Sequence, residues 1–276
     1  MANDGGGAAM STYVFSDVHG HRATLERVLE RVSPGSEDTV FCLGDMIDRG
    51  PDPVGVMRVT RTLPNVCVLK GNHEDLMLDA LDHESDVVSQ ANWAINGGMA
   101  TLSGLRGLED DETRELVDWV RGLPLLAHTE VAGRRFILVH AGIRPGGQLP
   151  ADGTWNNDAV DGLLAAQTPE DLLWIRDEFW SVPTGLLDER GEGPIVVAGH
   201  TPTPYLAAMT DELDRPARND DGIAQMVRVG ACDATGGVAD RWDIDSGAAG
   251  GAGFGQVTVV RLDDGEEFSE PIRDGE

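Results

Sequence analysis

The 276-residue chain reads as an α/β fold, and three observations predict it. The first third repeats a strand, helix, strand order; the middle is helical; and the second half holds several short strand-like runs. Hydrophobic residues make up 41% of the chain, enough to bury a core and to exclude general disorder. Repeated βα units favour parallel strands joined by right-handed crossovers.

Residues 1–11, with Gly5-Gly6-Gly7, read as a flexible leader. Residues 13–15 form a first strand, Leu25, Val28, Leu29 and Val32 recur at helical spacing, and residues 39–43 are strand again. A second helix starts after Pro53 and carries Val54, Val56, Met57 and Leu63, followed by a strand at 66–69 and a helix at 74–81. Residues 82–123 read as mainly helical and able to cap one sheet edge, most clearly at 111–121, where Leu116, Val117 and Val120 share a face. Residues 125–131 and 134–139 form a hairpin around Ala132-Gly133. Strand-like runs at 195–198, 226–229, 238–242 and 257–262 supply a mostly β layer against the first half. The stretches 149–158 and 211–222 are too polar for core, and 263–276 reads as a mobile acidic tail, so the folded unit spans residues 12–262.

Forty-eight acidic residues against 21 basic ones leave a formal charge of −27, with no Lys/Arg-rich run. Such a chain repels a polyphosphate backbone, so nucleic acid is excluded as a general partner. No apolar stretch approaches the ~20 residues that span a bilayer, and the N-terminus lacks the layout of a secretory signal, so no membrane partner and a cytoplasmic location are expected. Lys70 is the one lysine beside twenty arginines, and both high-salt adaptation and ordinary solubility fit the acidity. Cys42, Cys67 and Cys232 have no metal-binding spacing and read as reduced thiols. Nothing in the sequence specifies an oligomeric state.

Five segments carry the chemistry, each placing Asp, Asn or His just after an apolar strand and beside glycine. They are Ser16-Asp17-Val18-His19-Gly20, Gly44-Asp45-Met46-Ile47-Asp48-Arg49-Gly50, Gly71-Asn72-His73-Glu74, Val139-His140-Ala141-Gly142 and Gly199-His200-Thr201-Pro202. Carboxyl ends of strands are where α/β sheets build sites. Alone, Asp17 or Asp45 would read as a helix cap, and His140 or His200 as a buried histidine bonded to backbone. Five such coincidences point instead to one shared site. Imidazoles with carboxylate and amide oxygens suit Mn, Fe or Zn better than Mg, and no thiolate is offered.

In this order, the five segments resemble the signature of the metallophosphoesterase superfamily and, within it, the phosphoprotein phosphatase family: G-D-x-H-G, G-D-x-x-D-R-G, G-N-H-E, H-A-G and G-H. The resemblance extends to Leu172-Leu173-Trp174-Ile175-Arg176-Asp177 and Ile244-Asp245-Ser246-Gly247-Ala248, and so covers roughly residues 13–262. Ser16 departs from the first glycine, and the glycine-rich stretch 248–255 is longer than usual. The resemblance implies a calcineurin-like architecture, two β-sheets packed face to face with flanking helices, as one catalytic domain over 12–262. It implies that Asp17, His19 and a bridging Asp45 hold one divalent ion, and Asp45, Asn72, His140 and His200 a second, with Mn favoured over Fe or Zn. Close positive charge in the cleft then outweighs the distant, screened −27.

By the same resemblance a metal-bridged hydroxide attacks phosphate in line, His73 is the general acid, Asp48 its partner, and Arg49 and Arg176 clamp the phosphate. Arg176 alternatively pairs with Asp177 or Glu178 on a helix surface. His21, His83 and His128 read as surface or packing residues, the six tryptophans as core and rim, and Glu74 as structural. The implied function is a metal-dependent phosphomonoester hydrolase of the Ser/Thr protein phosphatase type, acting on a phosphorylated protein or a small phosphoester. The alternative is a symmetric bis(5'-nucleosyl)-tetraphosphatase, which cuts a phosphoanhydride; those enzymes usually lack an aspartate at the position of Asp48 and favour Asp at that of Glu74. A lesser alternative is a non-catalytic phospho-binding scaffold, which would have little use for Asp48, His73 and Arg49.

Overall fold

The computed structural model describes residues 10–145 and 155–276; the leader reading for 1–9 and the loop reading for 149–154 lie outside the described residues. Chain order begins β1 (Thr12–Phe15), α1 (Arg22–Val32), β2 (Thr39–Cys42), α2 (Pro53–Arg61), β3 (Val66–Val68) and α3 (Asn72–Asp82). The three strands run parallel, as the alternating pattern predicts, with Thr12 opposite Thr39 and Val40 opposite Val66. Helix α2 starts where Pro53 follows Asp52, whose carboxylate accepts from the Gly55 amide at 2.8 Å and caps the first turn.

Three helices follow: α4 (Val87–Ile95), α5 (Met99–Arg106) and α6 (Asp110–Arg121). The last has Asp110, Asp111 and Glu112 in its first turn and Arg121 in its last, which complements the helix dipole, and it buries Leu116 and Val120. The second half contains β4 (Leu126–Val131), β5 (Arg134–Val139), α7 (Asn157–Ala165), α8 (Pro169–Trp174), α9 (Asp177–Trp180), β6 (Ile195–Ala198), β7 (Val227–Val229), β8 (Arg241–Asp243), β9 (Gln256–Arg261) and β10 (Glu266–Pro271).

The strands form two mixed five-stranded sheets, β10-β9-β1-β2-β3 and β4-β5-β6-β8-β7. Strand alternation sorts side chains into three apolar layers. Val14, Phe41 and Val260 of the first sheet meet Phe136, Leu138, Val197 and Trp242 of the second, forming the core between the sheets. Tyr13, Phe15, Val40 and Cys42 point the other way, onto Leu25, Val28, Val56 and Met57 of the covering helices. On the far face of the second sheet, Ile137, Val139 and Val196 pack with Val160, Leu172 and Phe179. The three cysteines are free thiols, and among the described residues no helix is long and apolar enough to cross a membrane.

Three expectations need correction. The run at 257–262, expected in the layer against the first half, is β9 and joins the first sheet, antiparallel to β1. Residues 266–271 are not a mobile tail but the edge strand β10, paired antiparallel to β9 from Glu266↔Arg261 to Pro271↔Gln256. An edge strand tolerates charge on its open side, while Ile272 is buried and Arg27 and Arg31 of α1 bind Glu276 and Glu270 at 2.6 and 2.9 Å. The strand expected at 238–242 starts instead at Arg241, because Val238 and Ala239 fill the inter-sheet core from the preceding turn.

Candidate dinuclear metal centre

The carboxyl ends of the parallel strands in both sheets meet at one cleft. Asp17 and His19 follow β1; Asp45, Asp48 and Arg49 follow β2; Asn72 and His73 open α3 after β3; His140 follows β5 and His200 follows β6. Six of these residues have left-handed backbones, with φ of 53° at Asp17, 46° at His19, 54° at Asp45, 69° at Asp48, 66° at Arg49 and 67° at His200. Each costs about 1–2 kcal/mol, so the surrounding bonds must over-determine the turns. They do: the Asp17 amide donates to the Gly44 carbonyl at 3.1 Å and the His19 amide to that of Asp45 at 3.0 Å, so the first two turns lock each other. Close approach makes Gly71 and Gly199 obligatory, since a Cβ would stand 2.2 Å from Asp45 Oδ1 and 2.1 Å from Asp17 Oδ2 respectively.

Two groups of donor atoms, His19–Asp45–His73 and Asp45–His140–His200, each fall within 4.8 Å and share Asp45. His19 Nε2 is 3.5 Å from Asp45 Oδ2, and His140 Nε2 is 3.5 Å from Asp45 Oδ1. Asn72 Oδ1 stands 2.9 Å from His140 Nε2 and 2.8 Å from His200 Nδ1. Asp17 lies outside both groups, and its carboxylate accepts from the His200 amide at 3.1 and 3.0 Å.

The donor set fits divalent cations. Burial pushes His140 down to about 4, and burial first, then neighbouring histidines, also lowers His19 and His200. These imidazoles are therefore neutral near pH 7. Nδ1 of His19 is bonded to the Ile47 carbonyl at 3.0 Å and Nδ1 of His140 to that of Leu43 at 3.0 Å, so each proton sits there and each Nε2 lone pair faces the cleft. Burial, then Asp17 and Glu74, raise the Asp45 carboxyl well above its usual range. Lone pairs converging with too little positive charge are what a cation would complete.

The remaining predicted residues border this cluster. His73 Nδ1 is 2.7 Å from Asp48 Oδ2, and its Nε2 faces the cleft 3.1 Å from Arg49 Nη2. Glu74 is structural, as expected: its carboxylate accepts from the amides of Asp45, Met46 and Gly71 at 2.8, 2.9 and 2.8 Å and so fixes the loop bearing Asp45. Arg176 donates to Thr201 Oγ1 at 3.2 Å rather than to Asp177 or Glu178. Its segment is anchored by buried Arg241, which donates to the carbonyls of Phe179 and Trp180, both at 2.9 Å.

A cavity of about 400 Å³ opens over the cluster. Sequence reasoning missed much of its wall, namely Asn96, Trp174, Tyr205, Asp245 and Phe254. Trp174 and Asp245 lie in the two supplementary resembling stretches, where a signal existed; Tyr205 and Phe254 carried none. Trp93 and Trp174, expected as packing, also serve the site: Trp93 Nε1 donates to Asp48 at 3.1 Å, and the Trp174 ring stands edge-on to His200 at 5.9 Å. His21, His83 and His128 bond elsewhere, to Glu276, Asp79 and Asp161.

This strand-end cluster sits within a stretch, residues 10–229, that matches the calcineurin-like phosphoesterase family, and the chain belongs to that family. A curated relative from Paracidovorax citrulli, named "Bis(5'-nucleosyl)-tetraphosphatase, symmetrical", is 35% identical over 154 residues, covering 55% of this chain and 48% of that protein. The chain spans about half the length of the curated relatives it matches. Two solved structures share the fold. One, provisionally assigned as a diadenosine tetraphosphatase, has a TM-score of 0.52 at 19% identity over 97% of this chain and 96% of that one. The other, a protein serine/threonine phosphatase from Saccharomyces cerevisiae, has a TM-score of 0.51 at 15% identity over 97% and 81%.

Proposed function

We propose that the protein hydrolyses symmetrical dinucleoside tetraphosphates to two nucleoside diphosphates, the alternative weighed above, in preference to acting as a Ser/Thr protein phosphatase. The observation that carries this reading is the cavity wall: Trp174, Tyr205 and Phe254 surround the same space as the donor cluster, Arg49 and Arg176. Aromatic faces beside a phosphate site suit a nucleoside, and about 400 Å³ falls within the ~300–1,000 Å³ of small-molecule pockets. The tetraphosphatase name of the Paracidovorax citrulli relative supports the same choice.

Asp17, His19 and Asp45 would hold one ion and Asp45, Asn72, His140 and His200 the other, with Mn favoured by the mixed nitrogen and oxygen set. Bound there, divalent ions supply an activated water and neutralise phosphate charge. Arg49 and Arg176 present planar forks that grip phosphate oxygens and orient the chain of phosphates. Asp48 holds the Nδ1 proton of His73 and aims Nε2 at the cleft, where Arg49 Nη2 donates to it at 3.1 Å; to act as general acid, His73 takes up a proton at Nε2 and passes it to the leaving oxygen as the central P–O bond breaks.

That buried pair also favours a second reading. Proton delivery matters most where the leaving group is a poor one, such as the alkoxide of a phosphoserine, so a phosphomonoester is the competing substrate. The test is to strip the metal, reconstitute with Mn, Fe, Zn or Mg, and assay diadenosine tetraphosphate beside a Ser/Thr phosphopeptide with product identification. Metal-dependent formation of ADP as the faster reaction is expected. Faster release of phosphate from the peptide would reverse the order of the two readings, and silence on both would leave the phospho-binding scaffold.

A further inference from the structure

Asp48 is fully buried, and both its oxygens are engaged. Trp93 Nε1, on α4, donates to Oδ1 and Oδ2, both at 3.1 Å. Thr101, on α5, donates its hydroxyl to Oδ1 at 2.5 Å and accepts from the Asp48 amide at 2.9 Å. His73 occupies the remaining direction, at 2.7 Å from Oδ2. The turn joining the two helices also reaches the next residue, since the Arg49 amide donates to the Gly97 carbonyl at 3.2 Å.

This turn is built for contact. A Cβ on Gly97 would stand 2.7 Å from Arg49 Cγ, and one on Gly98 2.5 Å from the Trp93 ring. Asp48 and Arg49 are consecutive left-handed residues, with φ of 69° and 66°, a conformation that relaxes unless neighbours hold it. The holding bonds come from side chains 45 and 53 residues away in sequence.

We propose that the α4–α5 pair is a clamp on the proton donor, with Trp93 and Thr101 acting as positioning residues that orient His73 through Asp48. The inference rests on the reading of His73 as general acid. A carboxylate that keeps one orientation helps fix the imidazole plane, because the Nδ1 hydrogen bond restrains ring rotation together with the edge-on His19 ring at 4.6 Å and Arg49 Nη2 at 3.1 Å. Without the Thr101 hydroxyl, Asp48 loses one donor and its amide loses its acceptor, so the ring swings. The loss is felt where the leaving oxygen needs a proton and fades where it does not. Simple packing of α4 and α5 against the body predicts no such dependence.

The experiment compares wild type with Thr101→Val, which keeps the shape and removes the hydroxyl, Thr101→Ser, which restores it, and Trp93→Phe, all loaded with Zn. Aryl phosphates of falling leaving-group pKa, from phenyl to 2,4-dinitrophenyl phosphate, serve as substrates. For Thr101→Val and Trp93→Phe, kcat on phenyl phosphate is expected to fall about 10–100-fold with little change in KM, and the deficit to shrink along the series; Thr101→Ser recovers most of it. In ¹⁵N-histidine-labelled protein, the downfield Nδ1 proton of His73 should shift in Thr101→Val and return in Thr101→Ser. An equal loss on every substrate, or an unmoved His73 resonance, overturns the clamp. Wild-type protein that hydrolyses no phosphate substrate would sink the acid reading by itself, and the resonance would still decide whether Thr101 governs the ring.

Discussion

The two halves of the molecule reach the same cleft by different means. Around the first sheet, Asp17, His19, Asp45, Asp48, Arg49, Asn72 and His73 stand within a few residues of β1, β2 and β3, in short turns that bond one another through the backbone. Around the second, His140 and His200 also follow strands, but Arg176, Trp174, Tyr205 and Phe254 come from short helices and irregular chain. On the proposed reading, the first half therefore supplies most of the groups for chemistry on any phosphate, and the second most of the surface that selects which phosphate enters. Variants of the strand-end turns should accordingly act on all substrates, and variants of Trp174, Tyr205 and Phe254 on some.

The largest effect belongs to Asp45, which faces both donor groups. Asp45→Asn is expected to lower metal occupancy and to cut kcat/KM by about 10³-fold or more on every substrate, since several kcal/mol of charge stabilisation leave with the carboxylate. Elemental analysis with parallel kinetics checks it. Two ions tightly held by an active Asp45→Asn protein would show that the bridge lies elsewhere.

Next comes His73, for which the geometry allows two roles: its donor atom falls within one metal group, yet its ring is tied to Asp48. His73→Asn should keep both ions and lose on the order of 10²–10⁴ in kcat. Loss of an ion instead would move His73 from proton donor to ligand.

The same contrast governs what the sequence made legible. The five strand-end segments announce themselves because ligand, glycine and apolar strand are contiguous, as in Val139-His140-Ala141-Gly142. The βα alternation of residues 12–82 was readable for the same reason, each element carrying its own periodicity. Strand β10 was hidden by acidic composition that an edge tolerates, and α8 and α9, of six and four residues, are too short to show a period. Trp93 and Thr101 were invisible as site residues, because their link to Asp48 exists only once α4 packs on α3 and α5 on α2. Tyr205 and Phe254 lack any local signature, since their place at the cavity is set by tertiary packing.

Arg176 tests the boundary between the halves. It belongs to the second by position and to the first by chemistry. Arg176→Ala should cost roughly 10–100-fold in kcat/KM on all phosphate substrates, the range for one charge-assisted hydrogen-bonding group, and Arg176→Lys should recover only part, because an ammonium lacks the planar fork. An effect confined to nucleotides would place Arg176 with the selecting surface instead.

The smallest effect is the most discriminating. Tyr205 lines the cavity with 55% of its surface exposed, so its removal disturbs little of the fold. Stacking on one aromatic face is worth about 0.5–1.5 kcal/mol, so Tyr205→Ala should raise KM for diadenosine tetraphosphate about 3- to 10-fold with kcat held. Inorganic tripolyphosphate has no base to stack and should be cleaved as by wild type. Equal weakening toward both would mean that Tyr205 shapes the phosphate path, and no change toward either would remove one wall of the nucleoside reading, leaving Trp174 and Phe254 to carry it.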